Sequence, residues 1–272
     1  MTAAAFETVA ASVEGSLGRL VLNRPDRLNA IGAMMLRELV HAARWFDAQT
    51  EVRAVIVSGA GRAFSAGADL RDSPMAGAGP RSGASWAERR EVGQLGLRMA
   101  DAIESMRAVT IAQVHGYAVG GGVVLCAACD LRVAAEDAVF SIPEVELGIP
   151  LAWGGIPRLV REIGPALTKE LVMTCRRFTP AEAKAAGFLN RVVPAARLAA
   201  EAEALAREVA AMPSVPVIIT KEHVNAVTRA MGAGSTAFAD GDALLGAAFA
   251  PESLEAGRKY LDRTVLRKRE GS

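Results

Sequence analysis

The chain has little that would tie it to a membrane, a polyanion or an oxidising compartment. No apolar run approaches the roughly 20 residues needed to cross a bilayer, and no charged segment followed by an apolar one marks an export signal near Met1. Lys and Arg number 31 against 30 Asp and Glu, a formal net charge of +1. So even a balance creates no broad field for nucleic acid or an anionic surface. The three cysteines are odd in number and too few for a disulfide framework. Cys126-Ala-Ala-Cys129 has no second pair to complete a zinc site, so packed thiols, no metal and a reducing, cytoplasmic setting are expected. Aromatics are only 5% of a chain that is 51% apolar, a composition that favours close packing of helices on sheet over an all-β design. No internal repeat is visible.

What is present is an alternation of strands and helices. Val9–Val13 and Arg19–Leu22 flank Glu14-Gly15-Ser16 as an opening hairpin. Met35, Leu39, Ala42 and Phe46 recur at helical spacing within Ile31–Gln49, and Ala54–Ser58 is a β-branched run of the kind buried on both faces of a parallel sheet. Val92, Leu95, Met99, Ile103 and Met106 space out another helix after a Gly, Pro and Ser-rich loop over Ser73–Ser85. Val109–Val114 reads as a further strand, Ile156–Ile163 and Leu167–Thr174 as helices, and Leu189–Val193 as a short strand. Thr179-Pro180-Ala181-Glu182 carries an N-cap hydroxyl, a proline at the first helical position and an acid in the first turn, and that helix should stop at Gly187. From Ala195 to Lys268 the chain is helical in character, with breaks expected at Pro213, Pro216, Gly232-Ala-Gly234 and Pro251. This pattern predicts an α/β chain with right-handed crossovers, a core over 1–194 and a helical region over 195–272.

The centre of the chain is Thr110–Leu147, which reads as strand, glycine turn, small-residue helix, strand, and then an acid. Gly120, Gly121 and Gly122 let backbone approach a ligand closely, and a helix starting there offers unpaired N–H groups at its positive end. Such donors suit a developing negative charge. Glu144 is the nearest acid beyond the second strand.

Several stretches resemble the crotonase family, the enoyl-CoA hydratase and isomerase group. They are Leu22-Asn23-Arg24-Pro25 with Asn29-Ala30, Ala63 to Leu70, Gly116 to Gly122, Cys129-Asp130-Leu131, Pro143-Glu144, Leu147-Gly148-Ile149-Pro150, and Ala183–Val193. The resemblance runs in order from about Val9 to Tyr260 and so covers nearly the whole chain. The resemblance implies a spiral of ββα turns with two roughly perpendicular sheets, and a C-terminal helical region that builds homotrimers, often paired into hexamers. It implies an acyl-CoA thioester substrate whose carbonyl oxygen is gripped by the N–H groups of Ala68 and Gly121. It also implies adenine recognition by carbonyls near Ala66, Ala68 and Leu70, with Arg27 and Arg71 near the phosphates. No cofactor beyond the CoA moiety follows from it.

One position departs from the family hydratases, which hold water between two glutamates. Glu144 supplies the second, but Val124 occupies the place of the first, and an isopropyl group neither accepts a proton nor orients water. A single carboxylate still serves to move a proton from the α-carbon of a 3-enoyl thioester to the far end of the dienolate, giving the 2-enoyl isomer. The expected activity is therefore double-bond migration. A hydratase or hydratase-lyase working with Glu144 alone and a non-catalytic acyl-CoA-binding protein stand as alternatives. Trp153 and Val124 are expected to line the acyl pocket, with Ser141 near Glu144. His115, just before the glycine turn, is expected to be structural. No aspartate lies in Leu147–Gly155, where family dehalogenases and dienoyl isomerases carry theirs.

Overall fold

A computed structural model describes residues 2–71, 83, 85–231, 237–247 and 249–270. The first strands are β1 (Thr2–Ala4), β2 (Val9–Glu14) and β3 (Leu17–Leu22), followed by α1 (Ala33–Ala48) and β4 (Ala54–Gly59). Next come α2 (Trp86–Gly93), α3 (Leu95–Glu104), β5 (Val109–Val114), β6 (Tyr117–Val119), α4 (Gly121–Ala128), β7 (Leu131–Ala135) and β8 (Val139–Ser141). The rest is α5 (Gly155–Thr174), α6 (Pro180–Ala185), β9 (Arg191–Val193), α7 (Leu198–Ala211), α8 (Ser214–Met231), α9 (Asp240–Ala247) and α10 (Pro251–Glu270).

One seven-stranded sheet runs in the order β1-β2-β3-β4-β5-β7-β9, antiparallel up to β3 and parallel from there on. A second sheet pairs β6 with β8 in parallel. The two-residue period of β4 sorts its side chains to opposite faces. Val55 and Val57 join the cluster that contains Met35, Leu39 and Phe46 of α1 and Met99 and Ile103 of α3. Ala54 and Ile56 join Leu198, Ala202, Leu205 and Ala206 of α7. So helices cover both faces, as burial of a parallel sheet requires.

The expected opening hairpin is present, with Val9 opposite Leu22 and Glu14 opposite Leu17. Thr179 caps α6, its hydroxyl accepting from the Glu182 N–H at 3.1 Å, and Pro180 occupies the first position. The two expected helices after Gly155 form one run, α5, kinked at Gly164 (φ 76°) before Pro165. The single helix expected over Val92–Met106 is divided into α2 and α3 at Gln94, whose side-chain amide donates to the Phe238 carbonyl at 2.7 Å. Pro216 does not break the helical region but lies in the first turn of α8, where an N–H would have no helical partner. The Gly-rich loop over 73–85, apart from Gly83 and Ser85, and the break at 232–234 lie outside the described residues. Among the described residues no helix is long and apolar enough to cross a membrane.

Buried charges join α5 to α3 and β7. Arg132 pairs with Glu162 at 2.6 Å, Arg161 with Glu104 at 2.7 Å, and Arg158 with both Glu104 and Asp101. Burial alone would raise the Glu104 pKa, but Arg158 and Arg161 hold it below the ordinary value.

Asn29 fastens the loop after β4. Fully buried and left-handed (φ 54°), it accepts from the Arg24 N–H at 2.9 Å and donates to the Ala60 and Ala63 carbonyls, each at 2.8 Å. The Ser65 hydroxyl in turn donates to the Asn29 carbonyl at 2.9 Å. Asn29→Ala removes three of these bonds and strands buried carbonyls. It is expected to lower the unfolding free energy by about 3 kcal/mol, read from urea denaturation.

Candidate active site

Two backbone segments distant in sequence are stitched side by side. The Phe64 and Ser65 N–H groups donate to the His115 and Tyr117 carbonyls, each at 2.9 Å, and the Val119 N–H returns to the Ser65 carbonyl at 3.0 Å. The Ile31 N–H donates to the Gly67 carbonyl at 2.8 Å and the Asp69 N–H to the Ile31 carbonyl at 3.0 Å. Gly67 is left-handed (φ 86°), and a Cβ there would lie 2.5 Å from the Val119 carbonyl oxygen, so only glycine lets the strands approach. The result places Ala68 and Gly121 on one cavity. Among the described residues no hydrogen bond takes up either N–H.

Glu144 faces the same cavity and is nearly buried, at 9% exposure. A Cβ on Gly120 (φ 49°) would lie 2.3 Å from its Oε1, so the carboxylate rests against bare backbone. Oε2 has no hydrogen-bond partner among the described residues. Desolvation by burial therefore dominates, only partly offset by its own backbone N–H, and the pKa rises to about 7. A carboxylate of this kind exchanges protons near neutrality, as a general base or acid must.

The cavity measures about 340 Å³. Val124, fully buried on α4, and Trp153 form part of its wall, and Glu144 is the one ionisable side chain among the described residues that line it. Trp153 is left-handed (φ 60°), a conformation that costs a bulky residue roughly 1–3 kcal/mol. Gly154, next to it, is held on both sides: its N–H donates to Asp240 at 2.7 Å and its carbonyl accepts from Arg158 at 3.2 Å. A larger cavity of about 770 Å³ lies beside α8, but its charged residues already pair with one another, as in Arg132–Glu162 and Lys221–Asp130. Among the described residues it contains no unpaired acid comparable to Glu144.

Of the residues singled out from the sequence, Ala68, Leu70, Gly121, Val124, Glu144 and Trp153 meet at this cavity. Ser141 does not line it. The parallel pairing of β8 with β6 brings its carbonyl, rather than its hydroxyl, to the glycine turn, where it accepts from the Gly120 N–H at 2.9 Å. Ala66, Arg27 and Arg71 also lie off the cavity wall. The Ala66 N–H donates to the Leu28 carbonyl, Arg27 lies 3.7 Å from Asp69, and the exposed Arg71 donates its backbone N–H to Asp69. His115 shares a 2.9 Å hydrogen bond with the Gly61 carbonyl, consistent with a structural role. Cys126 and Cys129 are free, buried thiols, both pushed up by desolvation. The sequence reading passed over Leu244 of α9 and Gly257 and Leu261 of α10, which close the far side of the cavity. The i, i+4 spacing of Gly257 and Leu261 on an amphipathic helix was the available signal.

The family model described as enoyl-CoA hydratase/isomerase matches residues 12–264. A probable enoyl-CoA hydratase of Mycobacterium bovis is 36% identical over 224 residues, covering 81% of this chain and 82% of the relative. The peroxisomal Delta(3,5)-Delta(2,4)-dienoyl-CoA isomerase of Arabidopsis thaliana is 37% identical over 192 residues, covering 69% of each chain. Among solved structures, an enoyl-CoA hydratase/isomerase from Xanthobacter autotrophicus superposes with a TM-score of 0.85 at 28% identity, covering 98% of both chains.

The raised pKa has a thermodynamic consequence. Glu144 holds its proton more tightly in the folded chain than in the unfolded one, so stability falls as pH rises from 4.5 to about 7 and stays lower above that. Glu144→Gln keeps the shape without the charge. It is expected to exceed the wild type by roughly 3 kcal/mol near pH 8 and to match it near pH 4, measured by urea unfolding at both values.

Proposed function

We propose that this chain, which belongs to the enoyl-CoA hydratase/isomerase family, moves the double bond of a 3-enoyl-CoA thioester to the 2-position. The observation that carries the reading is that, among the described residues, Glu144 is the single ionisable side chain on an otherwise apolar cavity wall, with Val124 where a second acid would stand. Water addition needs a water held and activated, and among the described residues this wall offers one carboxylate and no second polar side chain to hold it.

The thioester carbonyl oxygen accepts from the Ala68 and Gly121 N–H groups. Glu144, ionised, removes a proton from the α-carbon. The C–H electron pair moves into the conjugated system, and the negative charge settles on the thioester oxygen between the two donors. Glu144 then returns the proton to the γ-carbon, leaving the alkene conjugated with the carbonyl. Each preorganised donor of this kind is typically worth about 10²–10³ in rate. The reaction draws on no group besides the CoA thioester and this chain's own residues. Exclusion of water by Val124 and the surrounding apolar wall protects the dienolate from protonation by solvent and the conjugated product from water addition.

The hydratase names among the relatives favour a second reading, water addition or hydration followed by lyase cleavage with Glu144 as the only acid. The two are separated by substrate. A 3-enoyl-CoA panel is expected to be isomerised with no uptake of solvent oxygen, with kcat/KM rising with pH through about 7 as Glu144 ionises. Glu144→Gln is expected to lower kcat by about 10²–10⁴. Efficient hydration of crotonyl-CoA that survives Glu144→Gln would overturn the mechanism, and tight binding without turnover across the panel would favour a binding protein.

A homotrimer or a hexamer is the assembly that α8 supports. None of its residues is buried, and Val215, Val224, Val227 and Met231 are each more than half exposed (64%, 55%, 59% and 80%). Light scattering on the purified chain is expected to give the mass of three or six copies. A monomer at micromolar concentration would remove that assignment.

A further inference from the structure

The indole of Trp153 lies across the seam between α3 and α4. A Cβ on Gly121 would meet its benzo end, at 2.2 Å from Cζ3, and a Cβ on Gly96 would meet its pyrrole end, at 2.0 Å from Cδ1. Both helices give up a side chain at the points where the ring is seated. One of those points carries the N–H assigned to the thioester oxygen. A thioester held there would therefore have its acyl group beginning beside the indole.

The space beyond is larger than a short acyl group requires. A dry cavity of about 150 Å³ lined by apolar side chains already accepts benzene, and this one measures about 340 Å³. Its wall beyond Glu144 is built from Leu147, Ile149, Leu151, Leu244, Leu261 and Trp153, with no hydroxyl or amide side chain among the described lining residues. Such a wall gains from every apolar atom that reaches it and leaves any polar substituent on the acyl group without a partner. Filling it needs a ring or a medium-length chain, since a crotonyl group leaves much of it empty.

We propose that Trp153 is the specificity-determining residue of this site and selects thioesters whose acyl group carries apolar bulk beyond the enoyl unit, as a ring or a medium-length chain, over the crotonyl group. This rests on reading the cavity as an acyl-CoA site, but not on which reaction follows. The backbone clamp on Gly154 by Asp240 and Arg158 fixes where the indole stands, so the selection is built into the fold before any ligand arrives.

The test is calorimetric binding of saturated, unreactive thioesters to the whole protein: butyryl-CoA, octanoyl-CoA and 3-phenylpropanoyl-CoA. Octanoyl-CoA and 3-phenylpropanoyl-CoA are each expected to bind at least about tenfold more tightly than butyryl-CoA, the scale on which apolar pockets discriminate. Trp153→Leu is expected to shrink that preference to within about threefold. Gly96→Ala, which changes the identity of no cavity-lining residue but displaces the indole, is expected to do the same. The two variants are compared with wild type by thermal unfolding, and the wild-type series stands by itself if either fails to fold. Equal binding of all three esters overturns the selection and leaves the acyl-CoA reading intact. Binding of none overturns both. A wild-type preference unchanged in both folded variants removes Trp153 from the role.

Discussion

The site depends on a carboxylate held against bare backbone. Glu144 packs on Gly120 with no counter-charge and with one oxygen unpartnered among the described residues. Everything nearby serves that contact: Gly120 adopts a backbone conformation open to glycine, its N–H is bound to the Ser141 carbonyl, and the helix that follows is buried along its whole length. Burial without compensation is unfavourable for the fold and useful for the chemistry, because it brings the proton affinity of an ordinary acid close to neutrality. The bonds of residues 64–65 to 115–119, and of Gly67 and Asp69 to Ile31, then set on the same cavity two N–H groups that no hydrogen bond among the described residues takes up.

A second layer controls shape rather than charge. The ion pairs that run from Arg132 through Glu162, Arg161 and Glu104 to Arg158 fix α5 against α3. Arg158 reaches past them to the Gly154 carbonyl, so a network formed for packing also positions the strained turn at Trp153. Gly96 and Gly121 are small because that ring is large. Substitution at any of the three therefore acts on the others, and their effects should not add.

Much of this was legible in the sequence where the determinants are local. The β4 run Ala54–Gly59, the cap at Thr179-Pro180 and the halves of α5 either side of Gly164-Pro165 follow from periodicity and backbone chemistry within a few residues. Glu144 stood out as an acid beyond the second strand of the glycine-turn stretch, and Val124 by being an apolar residue where the resemblance called for an acid. What escaped was set by distant partners. The division of one expected helix into α2 and α3 depends on Phe238 and on the close approach of Gly93 to Gly241. Ser141 carries a hydroxyl that drew attention, yet only its carbonyl reaches the turn. Leu244, Gly257 and Leu261 come to the cavity from α9 and α10, and Asp240 to the Gly154 N–H; the spacing of Gly257 and Leu261 marks a helix face but not what that face meets.

That late arrival has a consequence for synthesis. The Ala68 and Gly121 N–H groups and the acid all lie in the stretch from Ala68 to Glu144, whereas another part of the cavity wall waits for Leu244, Gly257 and Leu261. During translation, at about 5–20 residues per second, a nascent chain acquires Glu144 seconds before it acquires the surface that shields it. A chain stalled in that interval presents Glu144 to open water, where the carboxylate loses the burial that sets its proton affinity. The surroundings that set the proton affinity of Glu144 are thus completed only once α9 and α10 have been made.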